Sequence, residues 1–146
     1  MSKSNTFEND ILKLIFNNVD IADIGDAGGL QNSASAGSLY VALHTADPGE
    51  AGTAATNEAA YTSYARVAVT RDGAGWTVSG NSATNTALIQ FPECTGGSET
   101  ITHVSITTAS SGTSKILYSG ALSASRSVSS GIQPQFAATA LTVTED

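Results

Sequence analysis

ITHVSI, residues 101–106, sets Ile101, His103 and Ser105 on one face of an extended chain and Thr102, Val104 and Ile106 on the other. This period of two predicts a strand. Working outward, similar extended runs occur at residues 39–44 (LYVALH), 64–69 (YARVAV), 87–91 (ALIQF), 115–118 (KILY) and 141–144 (LTVT), with weaker ones at 76–78, 126–128 and 135–137. Turn formers separate them: Asp47, Pro48 and Gly49; Asp72 and Gly73; Gly80 and Asn81; Gly96 and Gly97; Ser111 and Gly112; Ser130 and Gly131. Short strands at near-regular spacing predict a mainly β fold, an antiparallel β-sandwich of jelly-roll type.

Only the first segment reads as a helix. Asn5 is the expected cap, Glu8 can reach back to it, and Phe7, Ile11, Leu14, Ile15 and Val19 recur at helical spacing. That stripe must be buried on the body of its own chain or on a neighbouring subunit, and the sequence leaves both open. Residues 25–37, with Gly-rich composition and no periodicity, read as a flexible connection. The expected organisation is therefore a helix and Gly/Ser-rich connection over 1–37 and a β-sandwich domain over 38–146.

Composition limits the function classes. A chain of 146 residues can bury a single core without metals or disulfides. Lys and Arg number 6 against 13 Asp and Glu, a formal charge of −7, so phosphate backbones are repelled and nucleic acid is not an expected partner. The single Cys94 can form no internal disulfide. There is no apolar run long enough to span a bilayer and no signal-peptide pattern, so the expectation is a soluble protein made in the cytoplasm, with no membrane partner.

Chemistry-bearing residues are sparse. His44, His103 and Cys94 match no zinc spacing, and no metal site or cofactor is expected. There is no G-x-S-x-G elbow and no Gly-rich phosphate loop, so no catalytic residue is expected and the chain does not read as an enzyme. Asp47 reads as a turn residue, while Glu50, Glu58, Glu93 and Glu99 read as solvated loop carboxylates. Arg66, Arg71 and Arg126 are expected to pair with loop carboxylates within or between chains. The 46–63 loop, about 18 residues long, exceeds ordinary connections and is expected to act as a contact arm that orders on a partner.

In order, an N-terminal helix, LYVALHTADPGEAG, YTSYARVAV, a Trp-bearing strand, TNTALIQFPECTGG, ITHVSI, SSGTSKILYSGALSASRSV and LTVTED resemble small virion structural proteins of tailed bacteriophages over residues 5–146. Members of such families are labelled tail fibre protein or capsid cement or decoration protein. The resemblance implies a particle component and brings no catalytic residues. The function expected on this basis is a capsid cement protein on the outer surface of the head, bridging capsomers, with the major capsid protein and copies of itself as partners in a homo-oligomer. Phe7, Ile11, Leu14, Ile15, Asp47, Glu50, Glu58, Tyr61, Tyr64 and Arg66 are its expected interface residues. The rivals are a tail, collar or fibre-base component and a carbohydrate-binding receptor module built on Trp76 with Tyr61 or Tyr64.

Overall fold

The computed structural model describes residues 1–25 and 28–146. Among the described residues one helix, α1 (Asn5–Asn17), precedes nine strands: β1 (Ser38–His44), β2 (Val67–Thr70), β3 (Trp76–Ser79), β4 (Ser82–Asn85), β5 (Ile89–Gln90), β6 (Ser98–Thr107), β7 (Ile116–Ser129), β8 (Gln135–Phe136) and β9 (Thr142–Thr144). The pairs β1/β6, β6/β7, β3/β4 and β4/β9 are antiparallel. The fold is thus mainly β with one helix, as the alternation predicts. The strands form three sheets, ordered β2-β1-β6-β7, β3-β4-β9 and β5-β8, an arrangement compatible with a jelly-roll path. Among the described residues no helix is long and apolar enough to cross a membrane.

The chain divides into two compact units, but not at residue 37. The first unit comprises Met1–Ser38, Val69–Ile89 and Phe136–Asp146; the second comprises Leu39–Ala68 and Gln90–Gln135. The helical segment shares a unit with later strands because its apolar face is buried there. Leu12 and Phe16 are fully buried, and the Phe16 ring meets Trp76 edge-on at 4.8 Å between centroids. The helix therefore packs on its own chain. The face that packs is Glu8, Leu12 and Phe16, spaced by four, whereas the expected stripe is displaced: Phe7 and Val19 are exposed and Ile11, Leu14 and Ile15 are half-buried.

Local signals fix the ends of the helix. Ser4, rather than the expected Asn5, is the N-cap, and its hydroxyl accepts from the Phe7 N–H at 3.3 Å. Asn18 ends the helix in the left-handed conformation, φ 55°, and its side chain holds the following segment by accepting from the Ser33 N–H and donating to the Ser33 carbonyl. Part of the expected flexible connection is thereby tied to the helix end; Asp26 and Ala27 of that connection lie outside the described residues. Arg71 completes the cap, donating from Nε to the Ile15 carbonyl and from Nη2 to the Leu14 carbonyl, both at 2.7 Å. A cation here satisfies carbonyls that the last helical turn leaves open and opposes the negative end of the helix dipole.

Strand β4 has no counterpart among the extended runs because its sequence, SATN, holds one buried apolar residue, Ala83. Its place follows from the two-residue turn before it. Ser79 pairs with Ser82, and Gly80 adopts φ 59°, a conformation glycine reaches without a Cβ clash. Asn85 then ties in the chain near β9: it donates to the Ala87 and Ala137 carbonyls and accepts from the Leu141 N–H.

In the second unit β1 and β6 pair with Val41 opposite Ile106, Leu43 opposite Val104, Ala42 opposite Ser105 and His44 opposite His103. Directly opposed residues share a face, so one face carries Val41, Leu43, Val104 and Ile106, while the other carries Ala42, Ser105 and the two histidines. Both faces are largely buried. A second buried group gathers around Phe91, which stacks on Tyr64 at 6.3 Å, with Tyr61 edge-on to Tyr64 at 5.3 Å.

Candidate functional site

A polar face that is nevertheless buried requires something to cover it, and in the second unit that cover is the 45–66 loop. At its end lies Arg66, whose side chain is 1% exposed. All five guanidinium N–H groups are used: Nε and Nη2 meet the two Glu58 carboxylate oxygens at 2.6 and 2.7 Å, Nη1 reaches the Ala109 carbonyl and Ser114 Oγ, and Nη2 also reaches the Gly112 carbonyl. This bidentate pairing is the strong form of a charge-assisted hydrogen bond, and it suits the planar fork of Arg, not Lys. The Glu58 hydrogen bond raises the Arg66 pKa above its ordinary value, so the cation is permanent.

The rest of the loop is tied to β1 by backbone groups. The Ala59 N–H donates to the Leu43 carbonyl, the Thr45 N–H donates to the Asn57 carbonyl, and the Tyr64 hydroxyl accepts from the Leu43 N–H at 3.0 Å while donating to Glu58. Burial is the first cause of the raised Tyr64 pKa. Glu99, on β6, accepts the Ala60 and Tyr61 N–H groups through Oε1 at 3.0 and 3.1 Å. The Tyr61 hydroxyl donates to the Pro92 carbonyl, and desolvation pushes its pKa up to about 12. At the tip, Asp47 Oδ1 accepts from the Gly49 N–H, as its place before Pro48 predicts. Gly52 is required there because a Cβ would run into the Pro48 carbonyl.

His44 sits beneath this cover with no exposed surface. Its Nδ1 lies 2.9 Å from the Thr56 carbonyl and its Nε2 lies 2.7 Å from Ser105 Oγ. A carbonyl can only accept, so Nδ1 carries the proton and Nε2 accepts from the Ser105 hydroxyl. Desolvation lowers the His44 pKa from 6.5. A hydroxyl on an imidazole resembles a nucleophile and its base. Here Ser105 is 1% exposed and the histidine's other nitrogen holds a loop carbonyl, so the pair binds loop to sheet. His103 faces His44 across the β1/β6 ladder and bonds Thr102 through Nδ1. Cys94, fully buried, lies 3.2 Å from the Gly96 carbonyl, which accepts from its thiol. Among the described residues no group of three His, Cys, Asp or Glu side chains gathers where it could hold a metal ion.

The family model described as podophage GP4 fiber I protein gp80 matches residues 2–144. The chain belongs to this family. The finding makes it a phage virion structural protein of a fibre-related kind. No curated protein matches it.

Against this fibre I family background, the expected interface residues separate into three groups. Glu58, Tyr61, Tyr64 and Arg66 are committed to the internal network, with Tyr61 and Arg66 buried, and the expected arm that orders on a partner is already ordered on its own sheet. Asp47 and Glu50 are exposed. On the helix, Phe7 is exposed and Ile11, Leu14 and Ile15 are half-buried. Two solvated carboxylates of the sequence reading, Glu58 and Glu99, are in fact structural acceptors: Glu58 takes the guanidinium of Arg66 and the Tyr64 hydroxyl at the end of its own loop, and Glu99 takes the Ala60 and Tyr61 N–H groups from a segment far along the chain. The aromatic sugar platform fails on burial: Trp76 is fully enclosed, its indole N–H has no hydrogen-bond partner among the described residues, and Tyr61 is buried.

Proposed function

We propose that the chain is a rigid, non-enzymatic building element of a podophage fibre, placed on the outside of the virion and acting through shape-matched contacts with copies of itself and with neighbouring virion proteins. The observation that carries this reading is the family match over residues 2–144. The internal chemistry supports it. The groups that could do bond chemistry, His44 with Ser105 and Arg66 with Glu58, are saturated by one another and by backbone carbonyls. Such saturation stiffens a body for repeated packing and leaves no open donor set for a substrate.

The capsid-cement role, with the major capsid protein as partner, is the second reading. What favours it is the charge of −7, which suits the outer face of a shell and opposes contact with packaged DNA. Mass spectrometry of purified virions with antibody labelling under the electron microscope separates the two. A fibre element appears in few copies with label at the tail; a cement protein appears in many copies with label over the head, and that result would replace the fibre reading.

A further inference from the structure

We infer that the outer edge of β7, centred on Ser119 and Gly120, is a strand-addition surface for a second copy of this chain. β7 ends the four-stranded sheet: β6 pairs along one side, and among the described residues no strand lies along the other. Sheet edges are templates for further pairing and are normally guarded by brevity, Pro, Lys or other charges. β7 runs for 14 residues with no Pro, no Lys and no acid, and Arg126 is its single charge.

The strand does carry one guard. Between Ile101 and His103 the register slips, so that Leu122, Ser123, Ala124 and Ser125 stand opposite Thr102 alone. This bulge divides the edge into two arms. The arm beyond it contains Arg126, which would sit close to its own copy in any symmetric pairing of that arm. The arm before it, residues 118–121, pairs regularly with residues 103–106, has no charge, and exposes Ser119, Gly120 and Ala121. The other edges are guarded by brevity: β2 and β3 run for four residues, β5 and β8 for two, and β9, three residues long, is followed by Glu145 and Asp146.

Charge selects a second copy as the occupant. All 13 acidic residues lie at or before Glu99 or at Glu145 and Asp146, while residues 100–144 hold Lys115, Arg126 and no acid. Most approaches between two such chains bring carboxylates together; an approach through β7 does not. In an antiparallel pair about a two-fold axis at Ser119, Ser119 faces its own copy and Tyr118 faces Gly120, and Lys115 and Arg126 meet no like charge. A pairing this short is weak alone and gains strength when copies are held together in a particle.

The test uses the full-length protein in isolation and so stands apart from its place on the virion. Sedimentation across a concentration series should show reversible self-association. Ser119→Cys should form disulfide-linked dimers under mild oxidation, whereas Ser127→Cys, on the charged arm, should not. Ala121→Lys should shift association to at least about tenfold higher concentration, equivalent to about 1.4 kcal/mol, while melting like the parent protein. A chain that stays monomeric to about 1 mM, association unmoved by Ala121→Lys, or equal crosslinking at both cysteines would overturn the inference.

Discussion

The two units hold their loose segments by opposite means. In the first, the helix is fastened by apolar contact: Leu12 and Phe16 are enclosed, and the Phe16 ring is set edge-on to Trp76. In the second, the 45–66 loop is fastened by polar groups, with Arg66, Glu58, Glu99 and His44 each meeting a defined acceptor or donor. Apolar burial tolerates a change of shape and loses stability in proportion to the volume removed. A polar fastening loses little until one partner is taken away; the group left behind is then buried without its counterpart. The first unit should therefore respond gradually to substitution and the second abruptly.

The largest expected effect tests the abrupt half. Arg66→Ala leaves the half-buried Glu58 carboxylate and three loop acceptors without their donor, and should cost about 3–5 kcal/mol in a denaturant melt. Arg66→Lys should recover less than half of that, since an ammonium cannot reproduce five fixed donors. A loss under about 1 kcal/mol for Arg66→Ala would put the loop among ordinary surface ion pairs. In the gradual half, Phe16→Ala should cost about 3–5 kcal/mol while Phe16→Leu costs much less, and a denaturation series across the two shows whether loss follows volume.

Acidity probes the polar fastening more gently. His44 has a folded-state pKa below its ordinary 6.5 because it is desolvated. Between these values the unfolded chain binds a proton that the folded chain refuses, so the His44 contribution is complete above about pH 6.5 and is lost as pH falls below it. Thermal melts from pH 7.5 to 5 should show a steeper acid decline for the parent protein than for His44→Gln. Parallel declines would remove His44 from the fastening. At the helix start, Ser4→Ala should cost about 1 kcal/mol. The smallest effect belongs to Glu50→Gln, an exposed change expected to stay within about 0.5 kcal/mol in the same melts.

Much of the fold was legible in the sequence because it depends on apolar alternation and turn residues. β1, β3 and β6 fall where their side chains alternate, and Gly80 with Asn81 marks the hairpin whose second strand, SATN, was too polar to read as one. The helix was legible but its buried face was not. The segment has apolar residues on more than half its circumference, and Trp76 decides that Leu12 and Phe16 are covered instead of Phe7 and Ile11. The polar fastening was mostly illegible for a different reason. Arg66 takes two backbone carbonyls from Ala109 and Gly112, and His44 takes one from Thr56; a carbonyl is the same at every position and leaves no mark in the residue letters.

The division of the chain carries a consequence for its synthesis. The first unit draws on Met1–Ser38 and on Phe136–Asp146, so the sheet beneath the helix cannot close until residues 142–144 have emerged from the ribosome. A prematurely ended polypeptide would leave Ala83 and the β4 backbone without their β9 neighbour, an unfinished product open to the host's proteases before it could be built into a particle.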